Sequence, residues 1–123
     1  MQPVRVVLIE DNDVFRDALG LLFDLQDDVA LVASLGDGSE AVGLCARLAP
    51  DVAVIDYRLP GLDGVEVAAA IRYACPNVAL LCLTAEVDEP AAEALRAAGV
   101  SECVTKDESF EEIVAAIKRA GAR

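Results

Sequence analysis

The sequence predicts an α/β fold, a single parallel sheet with helices on both faces. Two observations predict it. Apolar, strand-like runs alternate with helical patterns about five times along the 123 residues. Those runs are near-continuous rather than alternating, as strands covered on both sides require. With 55% apolar residues, the chain can supply a core for one such domain, read as spanning 1–123.

The elements follow in order. The first strand is read over 4–9, in the apolar run from Val4 to Ile9. A helix over 13–26 follows, with Val14, Ala18, Leu21, Leu22 and Leu25 as its apolar stripe and Asp13 as its cap. A strand over 29–34 leads to a helix over 38–48, capped by Asp37 or Ser39. The third strand, 52–56, runs Val52-Ala53-Val54-Ile55 and ends on Asp56. It opens a turn from Tyr57 to Gly64, in which Gly61 and Gly64 supply backbone freedom, and then a helix over 64–74. The fourth strand, 78–83, precedes a helix over 88–98 with Pro90 in its first turn. Gly99 suits a left-handed helix end. A strand over 102–105 and a helix over 108–120, striped by Phe110, Ile113, Val114 and Ile117, complete the repeat. Repeated βα units imply right-handed crossovers. Periodicity does not give the strand order.

Composition excludes several functions. No apolar stretch approaches the roughly 18 residues of a membrane span, and the amino terminus lacks the pattern of a signal peptide, so a soluble cytoplasmic protein is expected. The net charge of −12 repels nucleic-acid phosphates, so no direct DNA binding is expected. Without histidine or a CxxC pair, Cys45, Cys75, Cys82 and Cys103 read as small buried hydrophobes in a reducing compartment rather than zinc ligands. A redox role for Cys103 would need electropositive surroundings, which a buried thiol lacks.

Open α/β sheets place their chemistry at the carboxyl ends of strands. Glu10 and Asp11 follow the first strand, Asp56 ends the third, Thr84 follows the fourth and Lys106 the fifth. Three carboxylates at one pole repel one another, and a hard divalent cation such as Mg²⁺ relieves this, so Glu10, Asp11 and Asp56 are read as an acidic metal site. Asp56 is read as a carboxylate nucleophile toward phosphorus, with Lys106 supplying positive charge and the Thr84 hydroxyl a hydrogen bond. Small Ala85 leaves the entrance open. Taken one at a time, each of these residues would be an ordinary cap, solvated acid or surface lysine; their joint placement argues otherwise.

This ordered set, with the turn Pro60-Gly61-Leu62-Asp63-Gly64, resembles the receiver domain of two-component response regulators across essentially the whole chain. The resemblance implies a flavodoxin-like sheet of order 2-1-3-4-5. It implies the backbone carbonyl of Arg58 as a further Mg²⁺ ligand and a histidine kinase or phosphotransfer protein as phosphodonor. It also implies a switching surface formed by the fourth helix, fifth strand and fifth helix, with homodimer or partner contacts there. Such a protein phosphorylates itself and loses the phosphoryl group slowly. Arg58 and Glu86 are expected to flank the entrance and tune that lifetime. Within Cys103-Val104-Thr105-Lys106-Asp107 the run resembles the branch that usually carries a LuxR-type helix-turn-helix output, here missing or separate. Cys103 stands where an aromatic switch residue is common, which implies a weakened packing switch. Three rivals are less well supported. A flavin binder would need a Ser/Thr/Gly loop where Glu10-Asp11-Asn12-Asp13 stands. A haloacid-dehalogenase-type phosphatase would need an acid where Arg58 stands. The alternative that keeps the fold is a phosphorylation-independent interaction module.

Overall fold

The computed structural model describes residues 2–58, 63–86 and 88–122. Five strands alternate with five helices: β1 (Val4–Ile9), α1 (Asp13–Asp24), β2 (Val29–Leu35), α2 (Ala41–Leu48), β3 (Val52–Asp56), α3 (Gly64–Ala74), β4 (Ala79–Thr84), α4 (Glu89–Ala97), β5 (Val100–Thr105) and α5 (Phe110–Gly121). All strands pair in parallel in the order β2-β1-β3-β4-β5. The order reverses between β1 and β3, and the crevice outside their carboxyl ends is where such sheets place a ligand.

Strand periodicity divides the core in two. Val7, Ile9, Ala53, Ile55, Leu80 and Cys82 face α2, α3 and α4 through Cys45, Ile71 and Leu95. Val6, Leu8, Val52, Val54, Leu81 and Leu83 face α1 and α5 through Phe23, Ile113 and Ile117. Every residue of β3 is buried, Asp56 included. A strand wrapped by apolar neighbours on both faces has one place for a charge, its end.

Several local expectations change. On α1 the stripe facing the sheet is Leu19 and Phe23, with Phe15 beside them. Val14, Leu21 and Leu25 are instead exposed, at 80%, 69% and 77%. Asn12, not Asp13, caps α1, accepting a hydrogen bond from the Phe15 N–H at 2.9 Å. Neither Asp37 nor Ser39 caps α2, which begins at Ala41 after Glu40. Asp37 accepts from the Ser39 N–H and hydroxyl, and this local turn uses the groups a cap would need. Pro90 lies in the first turn of α4 and Gly99 has φ +103°, both as the sequence indicates. Gly61 lies outside the described residues. Gly64 is required by close approach: a Cβ there would lie 2.7 Å from the Asp56 carbonyl oxygen and 2.8 Å from the Tyr57 Cα. The first turn of α3 therefore rests directly on the backbone that carries Asp56.

Candidate functional site

Four strand ends converge on one cavity of about 290 Å³, lined by Asp11, Asn12, Asp56, Arg58, Thr84, Ala85 and Lys106. Backbone hydrogen bonds tie its walls together. The Tyr57 N–H donates to the Leu83 carbonyl at 3.0 Å, and the Lys106 N–H to the Thr84 carbonyl at 2.8 Å. The loops after β3 and β5 are thus both anchored to the end of β4.

Carboxylate oxygens of Glu10, Asp11 and Asp56 lie within 4.8 Å of one another. Glu10 is fully buried and Asp56 only 4% exposed, whereas Asp11 is open to solvent. Lys106 bridges the buried pair, its Nζ 2.8 Å from Glu10 Oε1 and 3.3 Å from Asp56 Oδ2. Its contact with Glu10 is ionic but not aligned as a hydrogen bond, and Glu10 Oε1 is left without a hydrogen-bond donor. The other oxygen, Oε2, accepts from the Asn12 N–H at 2.9 Å. Asp56 Oδ1 accepts weakly from the Arg58 N–H at 3.2 Å.

The electrostatics follow. Burial pushes the Asp56 carboxyl above its ordinary range; the nearby Glu10 adds to this, while Asp11 and the Arg58 N–H partly offset it. Asp11 is raised as well, first by its hydrogen bond with Asp56. The two carboxyls together hold a proton more tightly than isolated acids do. Burial works against the Lys106 charge, but Glu10 and Asp56 outweigh it and hold its ammonium above the usual lysine range.

Three clustered carboxylates facing one ammonium leave an all-oxygen site of net negative charge, which fits a hard divalent cation. Glu10, Asp11 and Asp56 have the right chemistry to hold one, and Arg58 lines the same cavity.

Thr84 is 5% exposed, and its hydroxyl donates to the Glu86 carbonyl at 2.8 Å. Ala85 is exposed at the cavity mouth. Arg58 lines this cavity and a neighbouring one of about 300 Å³ that Glu86 also lines, yet no ion pair joins them among the described residues. Cys103 lies on β5 rather than in the cavity. It and Cys75 are partly exposed, unlike Cys45 and Cys82, so the reading of four buried thiols holds for two.

Three neighbours escaped the sequence reading. The Arg16 Nη1 donates to the Glu10 carbonyl at 2.7 Å, and its Nη2 meets Asp13 at 2.6 Å. Asn12 holds Glu10 Oε2 through its backbone. The Phe15 ring centroid lies 5.1 Å from Lys106 Nζ, within cation–π range. The available signal was helical spacing: Asn12, Phe15 and Arg16 are three and four apart at the start of α1, where side chains lean back toward the end of β1.

The comparisons with known proteins agree with this fold. The family model described as response regulator receiver domain matches residues 6–118. The transcriptional regulatory protein NarL of Mycobacterium tuberculosis (strain ATCC 25618 / H37Rv) is 40% identical over 119 residues, covering 94% of this chain and 54% of that protein. The transcriptional regulatory protein LiaR of Bacillus subtilis (strain 168) is 31% identical over 117 residues, covering 95% and 56%. The chain thus spans about half the length of the curated relatives it matches. The solved signal receiver domain of NarL from Mycobacterium tuberculosis superposes with a TM-score of 0.91 at 33% identity, covering 100% of both chains. A LuxR-family two-component response regulator from Aurantimonas sp. SI85-9A1 gives 0.91 at 30% identity, covering 98% of this chain and 86% of that one.

Proposed function

Given that the chain belongs to the response regulator receiver domain family, we propose that it accepts a phosphoryl group on Asp56 from a histidine kinase or a phosphotransfer protein. The observation that carries this is the Asp56 carboxylate at the floor of an open cavity, 3.3 Å from the Lys106 ammonium and clustered with Glu10 and Asp11.

The chemistry is a displacement at phosphorus. An Asp56 oxygen approaches in line, an O–P bond forms, and the bond from phosphorus to the donor's imidazole nitrogen breaks. The reaction asks little of the protein beyond alignment and positive charge around the equatorial oxygens. An ionised carboxylate needs no general base. Lys106 already faces Asp56 Oδ2 and turns its ammonium to the incoming phosphoryl oxygens. Thr84 must release the Glu86 carbonyl to donate to a phosphoryl oxygen, and this exchange moves the β4–α4 loop. That motion biases the surface formed by α4, β5 and α5. Exposed Ala85 keeps the approach clear, and Arg58 and Glu86 at the rim limit access of hydrolytic water. Mg²⁺ held by Glu10, Asp11, Asp56 and the Arg58 carbonyl would supply further charge neutralisation for the phosphoryl oxygens.

The likeness to transcriptional regulators twice as long supports coupling to a DNA-binding output, in a longer chain or a separate partner, and control of transcription from the cytoplasm. The charge of −12 argues that DNA contact belongs to that output. Among the described residues no helix is long and apolar enough to cross a membrane.

Incubation with acetyl phosphate and Mg²⁺ should add one phosphoryl group by intact mass, and chelation should abolish it. Asp56→Asn should take up none. An Asp56→Asn protein that gains the same mass would exclude this site, and a wild-type protein that takes up none would favour the interaction-module alternative.

A further inference from the structure

The four cysteines fall into two neighbouring pairs, which their sequence spacing hides. Cys82 on β4 and Cys103 on β5 are register partners in adjacent parallel strands. Both belong to the apolar cluster beneath α4, Cys82 fully buried and Cys103 partly open to solvent. Neighbouring strands run about 4.7–4.9 Å apart. A disulfide spans Cα atoms roughly 4.4–6.8 Å apart, so the register pairing puts Cys82 and Cys103 within bridging range.

We propose that Cys103 is a hydroperoxide-reactive thiol and Cys82 its resolving partner, the two closing into a reversible disulfide across β4 and β5. The inference stands apart from phosphoryl acceptance. The surroundings of Cys103 supply what a reactive cysteine needs. The Cys82 thiol beside it and the positive field of Arg96 draw Cys103 below the usual thiol range, against burial and the charge of Glu102. Cys82 moves the other way: its contact with Cys103 and its burial hold it as a thiol. Of the two, Cys103 therefore loses its proton first, and it is the one solvent can reach. A partly exposed thiol whose surroundings favour the thiolate, next to a second thiol, is the arrangement that peroxide selects.

The steps balance. The Cys103 thiolate attacks one peroxide oxygen and the O–O bond breaks. The sulfur is oxidised by two electrons to a sulfenic acid, and the second oxygen leaves as hydroxide and is protonated to water. Cys82 then gives up its proton, its sulfur attacks the Cys103 sulfur, and the S–O bond breaks with loss of a second water. The disulfide retains the oxidation, and a dithiol reductant reverses it.

Hydrogen peroxide on the whole chain, with and without later dithiothreitol, provides the test, read by intact mass and by mapping after trypsin. Because cleavage after Arg72 and Arg96 leaves Cys75 and Cys82 on one peptide, a Cys45→Ala/Cys75→Ala background assigns the bond. The expected result in that background is loss of the two thiol hydrogens, a reducible cross-link between residues 73–96 and 97–106, and recovery with dithiothreitol. Cys82→Ala in the same background should stop at a sulfenic acid that dimedone traps on Cys103. If the substituted background fails to fold, fragmentation of the wild-type cross-linked peptide places the bond at Cys82 or at Cys75, and a bond at Cys75 overturns the proposal. No mass change, oxygen accumulating on Cys103 with Cys82 present, or a cross-link confined to Cys45 and Cys75 or between chains would each overturn the proposal.

Discussion

Asp56 is costly to the free protein because it is nearly buried among like charges. Glu10, Asp11 and Asp56 confront a single close ammonium, Lys106, so the group carries excess negative charge. Asp56→Asn keeps the shape and removes one charge. In metal-free buffer near neutral pH it should raise stability by about 1 kcal/mol, or a few degrees in Tm. The pH dependence fixes the sign. The Asp56 carboxyl is raised from 3.8, so the folded state holds this proton more tightly than the unfolded chain does. Its penalty is absent below 3.8 and grows as pH rises through the folded value. The gain from Asp56→Asn should therefore shrink as the solution is acidified toward 3.8, as urea midpoints at several pH values would show. A gain independent of pH would assign the effect to packing instead. The strand-end positions of Glu10, Asp11, Asp56, Thr84 and Lys106 were legible in the sequence because apolar runs deliver them. Burial of Glu10 with exposure of Asp11 was not legible, since adjacent residues share a run but point to opposite sides of the chain.

At the scale of elements, α1 is the instructive case, being apolar on two faces. Its spacing supports a stripe through Val14, Leu21 and Leu25 as well as one through Leu19 and Phe23, and only the second meets the sheet. Which stripe turns inward depends on the direction in which the chain leaves β1 and on the Asn12 cap, neither of which periodicity encodes. The energetic contrast is large. Phe23 is 1% exposed and packs on Phe110 with ring centroids 5.4 Å apart. Phe23→Ala should cost about 3–5 kcal/mol, whereas Leu25→Ala, at 77% exposure, should stay within about 0.5 kcal/mol. Equal losses in chemical denaturation would mean that the stripe facing the sheet is wrongly assigned. The helices read from 88 and 108 begin at Glu89 and Phe110, where Asp88 and Ser109 accept the capping hydrogen bonds. Caps were misread where several capping residues crowd together, as in Asp37-Gly38-Ser39.

For the whole molecule, the alternation of strands and helices was legible from continuous apolar runs. The order β2-β1-β3-β4-β5 was not, because sheet position depends on crossover direction and on contacts far apart in the chain, and it came only through the resemblance. The pairing of Cys82 with Cys103 is a product of that same order, since it exists only if β4 and β5 are neighbours. One consequence of the Lys106 contacts extends to the entire fold. By reaching both buried acids, Lys106 acts as a tethered counterion. Small metal-dependent domains unfold on chelation because nothing else neutralises their ligands; here the chain supplies the replacement from the loop after its fifth strand. Chelation should therefore leave Tm nearly unchanged, while Mg²⁺ at about 100 times its Kd should add about 2.7 kcal/mol by mass action. A cooperative collapse in chelator would show that Lys106 does not fill this role. On that expectation folding does not wait on cation supply, and the metal-free protein is a durable stored form rather than a damaged one.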